Sequence, residues 1–188
     1  AMRDALASTV EETDEVLRML NTLMDITEAE SGVLRLNPDR VVIGELLEQV
    51  RDLYDFVAED AGVRLHADAA ENVTITADPV RLRQVVANLV DNAIKYTPEG
   101  GDVYLSAVES PESVEIRVTD TGVGIDRAEH EQVWDRLYRG SPGRENRGMG
   151  LGLSLVKAVI EAHRGTVTLE SEPGQGSSFK ISLPVTEV

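Results

Sequence analysis

The apolar positions of the chain repeat with different periods, and each change of period marks an element. Over residues 3–30, Leu6, Val10, Thr13, Leu17, Leu20, Met24 and Thr27 recur at alternating steps of four and three. That is a heptad seam, and Val16, Leu23 and Ile26 widen it to a stripe. Glu11, Glu12, Asp14, Glu15 and Arg18 fill the outer face. The segment therefore predicts a long helix, either packed alone on its own domain or, as the length of the seam favours, belonging to a bundle. Ser31-Gly32 ends it. Residues 33–36 read as a short connecting strand. Residues 41–61 predict a helix that buries Leu46, Leu47, Val50, Leu53, Tyr54 and Val57. Alternation at Val63, Leu65 and Ala67, and again at Val73 and Ile75, predicts two short strands.

Asp78-Pro79 then offers an N-cap and a proline at the first helical position. The helix it opens stops at Pro98. Val85, Val86, Leu89, Val90, Ala93 and Ile94 face a core, while steps of three and four align Asn88, Asn92 and Lys95 or Tyr96 on one polar side. Residues 103–108 and 114–119 alternate as an antiparallel pair, and the second runs straight into Asp120. A short helix over 126–134, a polar loop over 141–147, a helix over 151–162 and strands over 166–171 and 178–183 complete the chain. In that helix Leu153, Leu155, Val156, Val159 and Ile160 lie on or beside the core. The order predicts an α/β two-layer sandwich: a mixed, mostly antiparallel sheet covered by helices on one face and preceded by a long N-terminal helix.

A chain of 188 residues buries roughly 70% of its unfolded surface. With few aromatics, the core is built from Val, Leu, Ile and Ala. The formal charge of −16 argues against a nucleic-acid backbone as partner. A phosphate ligand would need local Lys or Arg, backbone N–H groups and a divalent cation. The absence of cysteine excludes disulfides and fits a reducing cytosol. No apolar run reaches the ~18 residues that cross a bilayer. Ala1-Met2 reads as a cloning remnant, so the expectation is a truncated piece of a longer, cytoplasmic or membrane-anchored parent.

Three glycine clusters follow the Asn-bearing helix: DTGVGI from Asp120, GMGLGL from Gly148 and GQGSSF from Gly174. Each alone is a weak signal, since glycines also serve plain turns. In this order and at these separations the four elements resemble the N, G1, G2 and G3 boxes of the histidine-kinase ATP-binding domain. That domain lies in the wider GHKL superfamily (Bergerat fold) that includes gyrase, Hsp90 and MutL. VWDRLYRG resembles the F box, with Leu137 where phenylalanine is common. Trp134 and Leu137 can be ordinary core residues or can position a lid. Residues 16–36 resemble the second helix of the dimerisation and phosphoacceptor hairpin, which divides the chain into 1–31, hairpin, and 32–188, catalytic ATP-binding domain.

The resemblance implies ATP and Mg²⁺ as cofactors and assigns roles. Asp120, an acceptor when ionised, takes the adenine amine, and Gly122 and Gly124 with Ile125 form the bend beside it. Asn92 presents a hard oxygen to Mg²⁺, supported by Asn88. Lys95 and Arg139 carry charge toward phosphates, and Tyr96 packs near the nucleotide. Gly148, Gly150, Leu151, Gly152 and Leu153 form a helix start suited to phosphate, with Met149 where a hydroxyl residue is often found. Ser177 and Ser178 support the aspartate.

ATPases of the superfamily place a general-base glutamate where this chain has Asn88, so slow hydrolysis is expected. His66, His130 and His163 do not fit the phosphoacceptor pattern, so the acceptor histidine is expected outside this chain. Expected partners are that phosphoacceptor helix, in cis or trans, a response regulator and a second copy through the N-terminal helix. The expected activity is transfer of the γ-phosphoryl of Mg-ATP to histidine. A regulatory nucleotide-binding module without kinase activity and a stand-alone ATPase are the alternatives.

Overall fold

The computed structural model describes residues 2–69, 73–140 and 149–185, with side chains for all of these except 2–9, 11, 12, 14, 15 and 69. The polar loop over 141–147 and Gly148 lie outside the described residues. The elements in order are α1 (Met2–Glu30), β1 (Asp39–Val42), α2 (Ile43–Asp60), β2 (Arg64–Ala69), β3 (Thr74–Ala77), α3 (Pro79–Tyr96), β4 (Asp102–Glu109), β5 (Ser113–Asp120), α4 (Gly152–Ala162), β6 (Thr166–Glu172) and β7 (Gly176–Pro184). Strands run in the order β2-β4-β5-β7-β6, with β2 parallel to β4 and every other neighbour antiparallel. β1 and β3 form a separate antiparallel pair. Helices α2, α3 and α4 cover one face of the large sheet, giving the two-layer sandwich.

The inward rows decide the register. Leu105 faces Val118 and Val118 faces Phe179; Ala107 pairs Ile116, and Ile116 pairs Ile181. All of these side chains are buried, and they meet Leu82, Val85, Val86, Leu89 and Val90 of α3 and Leu155, Val156, Val159 and Ile160 of α4 in one core. The period of two that buries Val114, Ile116 and Val118 also turns Asp120 inward, opposite Ser177.

The start of α3 is fixed from three directions. Asp78 Oδ1 accepts the backbone N–H groups of Val80 and Arg81, each at 3.0 Å, and its Oδ2 accepts that of Asn37 at 2.9 Å. The backbone N–H of Asp78 donates to Nε2 of buried His163 at 3.1 Å, so Nδ1 of that ring carries the hydrogen and donates to Val159 at 2.8 Å. The end of α4 is thereby tied to the beginning of α3. Burial disfavours the Asp78 charge, but the three N–H groups outweigh it and hold the carboxyl below its ordinary value.

α1 lies against α4, with Ile26 fully buried and Met19, Leu23 and Ala29 packed around it. Arg81 grips Asp25 with both terminal nitrogens, at 2.6 and 2.9 Å, and Arg136 pairs with Glu30. The docked face is therefore not the heptad seam. Val10, Leu17, Leu20 and Met24 stand exposed, as does Val16.

Four expectations need correction. Residues 33–36 form no strand, and Val33 is exposed; the strand is β1, where Val41 finds Ile75 as its ladder partner. That pairing takes Val41 and Val42, so α2 begins at Ile43. Leu53 and Val57 of α2 are exposed together with Phe56, because the sheet below meets only the Leu46, Leu47, Val50 and Ala58 side. The helix over 126–134 is two separate 3₁₀ turns, Arg127–Glu129 and Gln132–Trp134, each closed by a three-residue bond, His130 N–H to Arg127 O and Asp135 N–H to Gln132 O. Trp134 stands edge-on to Phe179 at 6.0 Å, as a core residue does, whereas Leu137 is exposed with φ of 60°.

At the sheet edge, Arg64 donates twice to Asp102, at 2.8 and 2.6 Å, and His66 Nε2 lies 2.9 Å from the same carboxylate while its ring stacks on Tyr104. Arg64 first, then His66, hold the Asp102 carboxyl at about 2. A carboxyl whose folded value is depressed stabilises the fold above its unfolded value and loses that contribution as pH falls through the folded one. Asp102→Asn should thus lower the urea midpoint at pH 7, and the gap from the parent should close between the ordinary carboxylate range and pH of about 2. Urea titrations across that window check it.

Candidate nucleotide site

Between α3, the segment after β5 and the start of α4 lies a cavity of about 330 Å³. α3 lines it with Asn88, Asp91, Asn92, Lys95 and Tyr96, and β5 with Asp120. Gly124, Ile125, Glu129, Tyr138 and Arg139 follow, then Gly150, Leu151, Gly152 and Leu153, with Ser177 and Phe179 from β7. Arg18 and Thr22 of α1 reach the same cavity.

Asp120 is 5% exposed. Its Oδ1 accepts the backbone N–H of Gly122 at 2.8 Å and that of Ser177 at 3.2 Å. Burial pushes the carboxyl up, and these two N–H groups oppose the shift without cancelling it. With Oδ1 committed, Oδ2 is left to accept from a ligand. Two glycines let the backbone take this path. A Cβ on Gly122 would lie 2.4 Å from the Tyr96 carbonyl, so the loop can approach the end of α3 only without one. Gly124 has φ of +67°, and a Cβ there would sit 1.9 Å from the Glu172 carbonyl.

The other end of the cavity is polar. Asn88 Nδ2 donates back to the Gln84 carbonyl at 2.8 Å, which turns its Oδ1 toward Gly152, where a Cβ would lie 3.0 Å away. The same Cβ would be 3.7 Å from Asn92 Nδ2, so both amides abut the first turn of α4. The Asn92 amide has no hydrogen-bond partner among the described residues. Backbone N–H groups at a helix start lack intrahelical acceptors and favour anions. Lys95 pairs with Asp91 at 2.5 Å, and Tyr138 donates to Glu129 at 3.0 Å.

Thirteen of the expected residues meet here, from Asn88 through Ser177. Gly122 lies behind the wall as a brace for Asp120. Ser178 does not join them: one residue past Ser177, strand alternation sends it to the opposite face, where its hydroxyl meets Thr119 Oγ1 at 2.9 Å. Gly148 is outside the described residues. Sequence reasoning missed Asp91, Glu129, Tyr138 and the two α1 residues. Asp91 had a signal, being four residues before Lys95 on one helix side. Among the described residues no group of three His, Asp or Glu side chains could hold a metal ion alone.

Residues 77–187 match the family of histidine kinase-, DNA gyrase B- and HSP90-like ATPases. The chain belongs to this family. Relatives place it in the sensor-kinase branch. It is 38% identical over 91% of its length to the adaptive-response sensory kinase SasA of Synechococcus elongatus, covering 45% of that protein. It is 34% identical over 94% of its length to the sensor histidine kinase YclK of Bacillus subtilis, covering 38%. The chain thus spans less than half the length of these curated relatives. Full-length ShkA in complex with AMPPNP superposes with a TM-score of 0.86 at 28% identity, over 99% of this chain and 39% of that one. The histidine kinase AdeS of Acinetobacter baumannii shares the fold, with a TM-score of 0.83 at 22% identity over 97% of this chain and 84% of that one. The chain is an ATP-binding catalytic domain of the sensor histidine kinase type. No described helix is long and apolar enough to cross a membrane.

A carboxyl raised by burial loses folded-state stability when it ionises, so the kinase domain carries that cost above the Asp120 titration and not below it. Asp120→Asn keeps an oxygen for Gly122 and Ser177 but removes the charge. Its urea midpoint at pH 7 should exceed the parent's, and the advantage should vanish at pH low enough to protonate Asp120.

Proposed function

We propose that this domain binds Mg-ATP and, in its parent protein, transfers the γ-phosphoryl group to a histidine on a phosphoacceptor helix, in cis or trans, from which it passes to a response-regulator aspartate. The observation that carries this reading is the joint lining of one cavity by an inward carboxylate at the end of a strand, Asp120, and a helix amide with no hydrogen-bond partner among the described residues, Asn92.

The residues divide the work along the cavity. Asp120 Oδ2 accepts from the exocyclic amine of adenine, a donor that an ionised carboxylate selects. Lys95, Arg139 and the opening turn of α4 meet the phosphates. Asn92 suits Mg²⁺ as a single hard oxygen, the rest of the shell coming from phosphate and water, and Asn88 supports it. When bound, the ion would neutralise charge on the phosphates. Positioning and charge neutralisation supply most of what phosphoryl transfer needs.

Water is a poor acceptor here. Asn88 cannot take a proton, Asp91 is held by Lys95, and Glu129 accepts from Tyr138. The chain's own histidines are engaged as well: both nitrogens of buried His163 are bonded, His66 pairs with Asp102, and His130 Nε2 lies 3.3 Å from the Ile125 carbonyl. An imidazole supplied from elsewhere fits this arrangement. The structure of the histidine kinase ThkA in complex with the response regulator protein TrrA superposes with a TM-score of 0.73 and offers a precedent for the second transfer. The exposed Val10, Leu17, Leu20 and Met24 row suits pairing with a second copy.

Nucleotide titration by calorimetry with and without Mg²⁺ tests the assignment. The parent domain should bind ATP more tightly with the ion, and affinity should fall as acid protonates Asp120, beginning above the ordinary carboxylate value of 3.8. Asp120→Asn should weaken binding about 10- to 100-fold, the size of a lost charged hydrogen bond. Asn92→Ala should retain Mg-free binding but lose the gain from Mg²⁺. Radiolabel should reach a separately supplied histidine-bearing hairpin and not the domain itself. Indifference to ATP at millimolar concentration would refute the reading.

A further inference from the structure

We propose that Arg18, on the N-terminal helix, is a phosphate-binding residue of the nucleotide site, so that one of the cations meeting the triphosphate is supplied by α1 rather than by the catalytic domain. The inference rests on the nucleotide reading of the cavity. Arg18 lines that cavity and, among the described residues, has no ion-pair partner. Lys95, by contrast, is already paired with Asp91.

The register of α1 is set elsewhere and leaves Arg18 no choice of position. Asp25 is clamped by both terminal nitrogens of Arg81 on the first turn of α3, and Ile26 is fully buried one residue on. Counting back, Thr22 and Arg18 follow on the same stripe at steps of three and four, and both line the cavity. Seven residues at ~1.5 Å each place Arg18 about 10 Å along the helix from the clamp. The helix packs on α4, whose first turn abuts Asn88 and Asn92. Arg18 therefore enters from the phosphate side of the cavity and not from the Asp120 side.

Chemistry favours the same occupant. In a chain of net charge −16, a guanidinium that lines this cavity and has no carboxylate partner among the described residues keeps its charge available to an anion. Its planar fork matches phosphate oxygens in a two-point contact that an ammonium cannot reproduce. An arginine that merely solvated the helix surface would not distinguish nucleotides by phosphate number.

The experiment is calorimetric titration of the whole chain and of Arg18→Ala and Arg18→Lys with Mg-ATP and with AMP, alongside thermal melts and Asp120→Asn. Arg18→Ala should weaken Mg-ATP about 5- to 20-fold, as loss of a charged hydrogen bond does. AMP affinity and melting temperature should stay at the parent's values, with Arg18→Lys intermediate for ATP. Equal losses for ATP and AMP, or unchanged ATP affinity in Arg18→Ala while Asp120→Asn loses both nucleotides, would overturn the role of Arg18 and leave the nucleotide site standing. A parent chain that binds neither nucleotide would overturn both.

Discussion

Everything in the site turns on placing a carboxylate at the end of an apolar row without exposing it. Val114, Ile116 and Val118 fix the parity of β5, and Asp120 inherits it. An isolated buried charge is costly, so the fold must bring donors. It brings the next loop, through Gly122, and the neighbouring strand, through Ser177. Both donors bind one oxygen, which is why the other remains an acceptor. The loop can fold back this tightly only because Gly122 and Gly124 have no Cβ to strike the Tyr96 and Glu172 carbonyls. Function and local strain thus share one origin: the donors that make Asp120 tolerable also aim it.

α3 connects that floor to the polar end. Its apolar side is held by the sheet, and its N-terminus is pinned by Asp78 to Asn37 and by His163 to α4. Asn88, Asn92 and Lys95 consequently have little freedom to rotate about the helix axis relative to Asp120. The start of α4 is placed by the same tie at its far end and by the close approach of Gly152 to Asn88. A polyanion in this acidic protein must be met by groups aimed at it from several directions, and the packing of α1, α3 and α4 provides that convergence.

Much of this was legible in the residues. The Asp78-Pro79 cap, the two faces of α3 and the alternation into Asp120 are local signals, and the structure keeps each of them. What could not be read depended on partners distant in sequence. β1 exists because Val41 meets Ile75, and nothing in 39–42 announces it. Leu53 and Val57 follow helical spacing as well as Leu46 does, yet the sheet beneath α2 does not extend to them. Ser178 was misplaced by a single residue of strand parity, decided by which of the two serines faces Asp120. Glu129 carries no motif and Tyr138, though within VWDRLYRG, no assigned role; only the turns between them bring them together.

The same distinction explains α1. Its heptad row and its docked face are different stripes: Leu17 and Met19 are two residues apart, about 200° around a helix of ~3.6 residues per turn. Met19, Leu23 and Ile26 hold the domain, while Val10, Leu17, Leu20 and Met24 face outward. A second helix seated on the outward row would not have to displace the domain, because it competes for none of the docked contacts. It would, however, share a rigid body with Asp25 and Glu30, whose ion pairs to Arg81 and Arg136 bind α1 to α3 and to the segment between β5 and α4. Rotation of α1 imposed through the outward row must therefore either carry the domain along or break two charged contacts. Groups on the inner stripe, near the mouth of the cavity, move with it in either case.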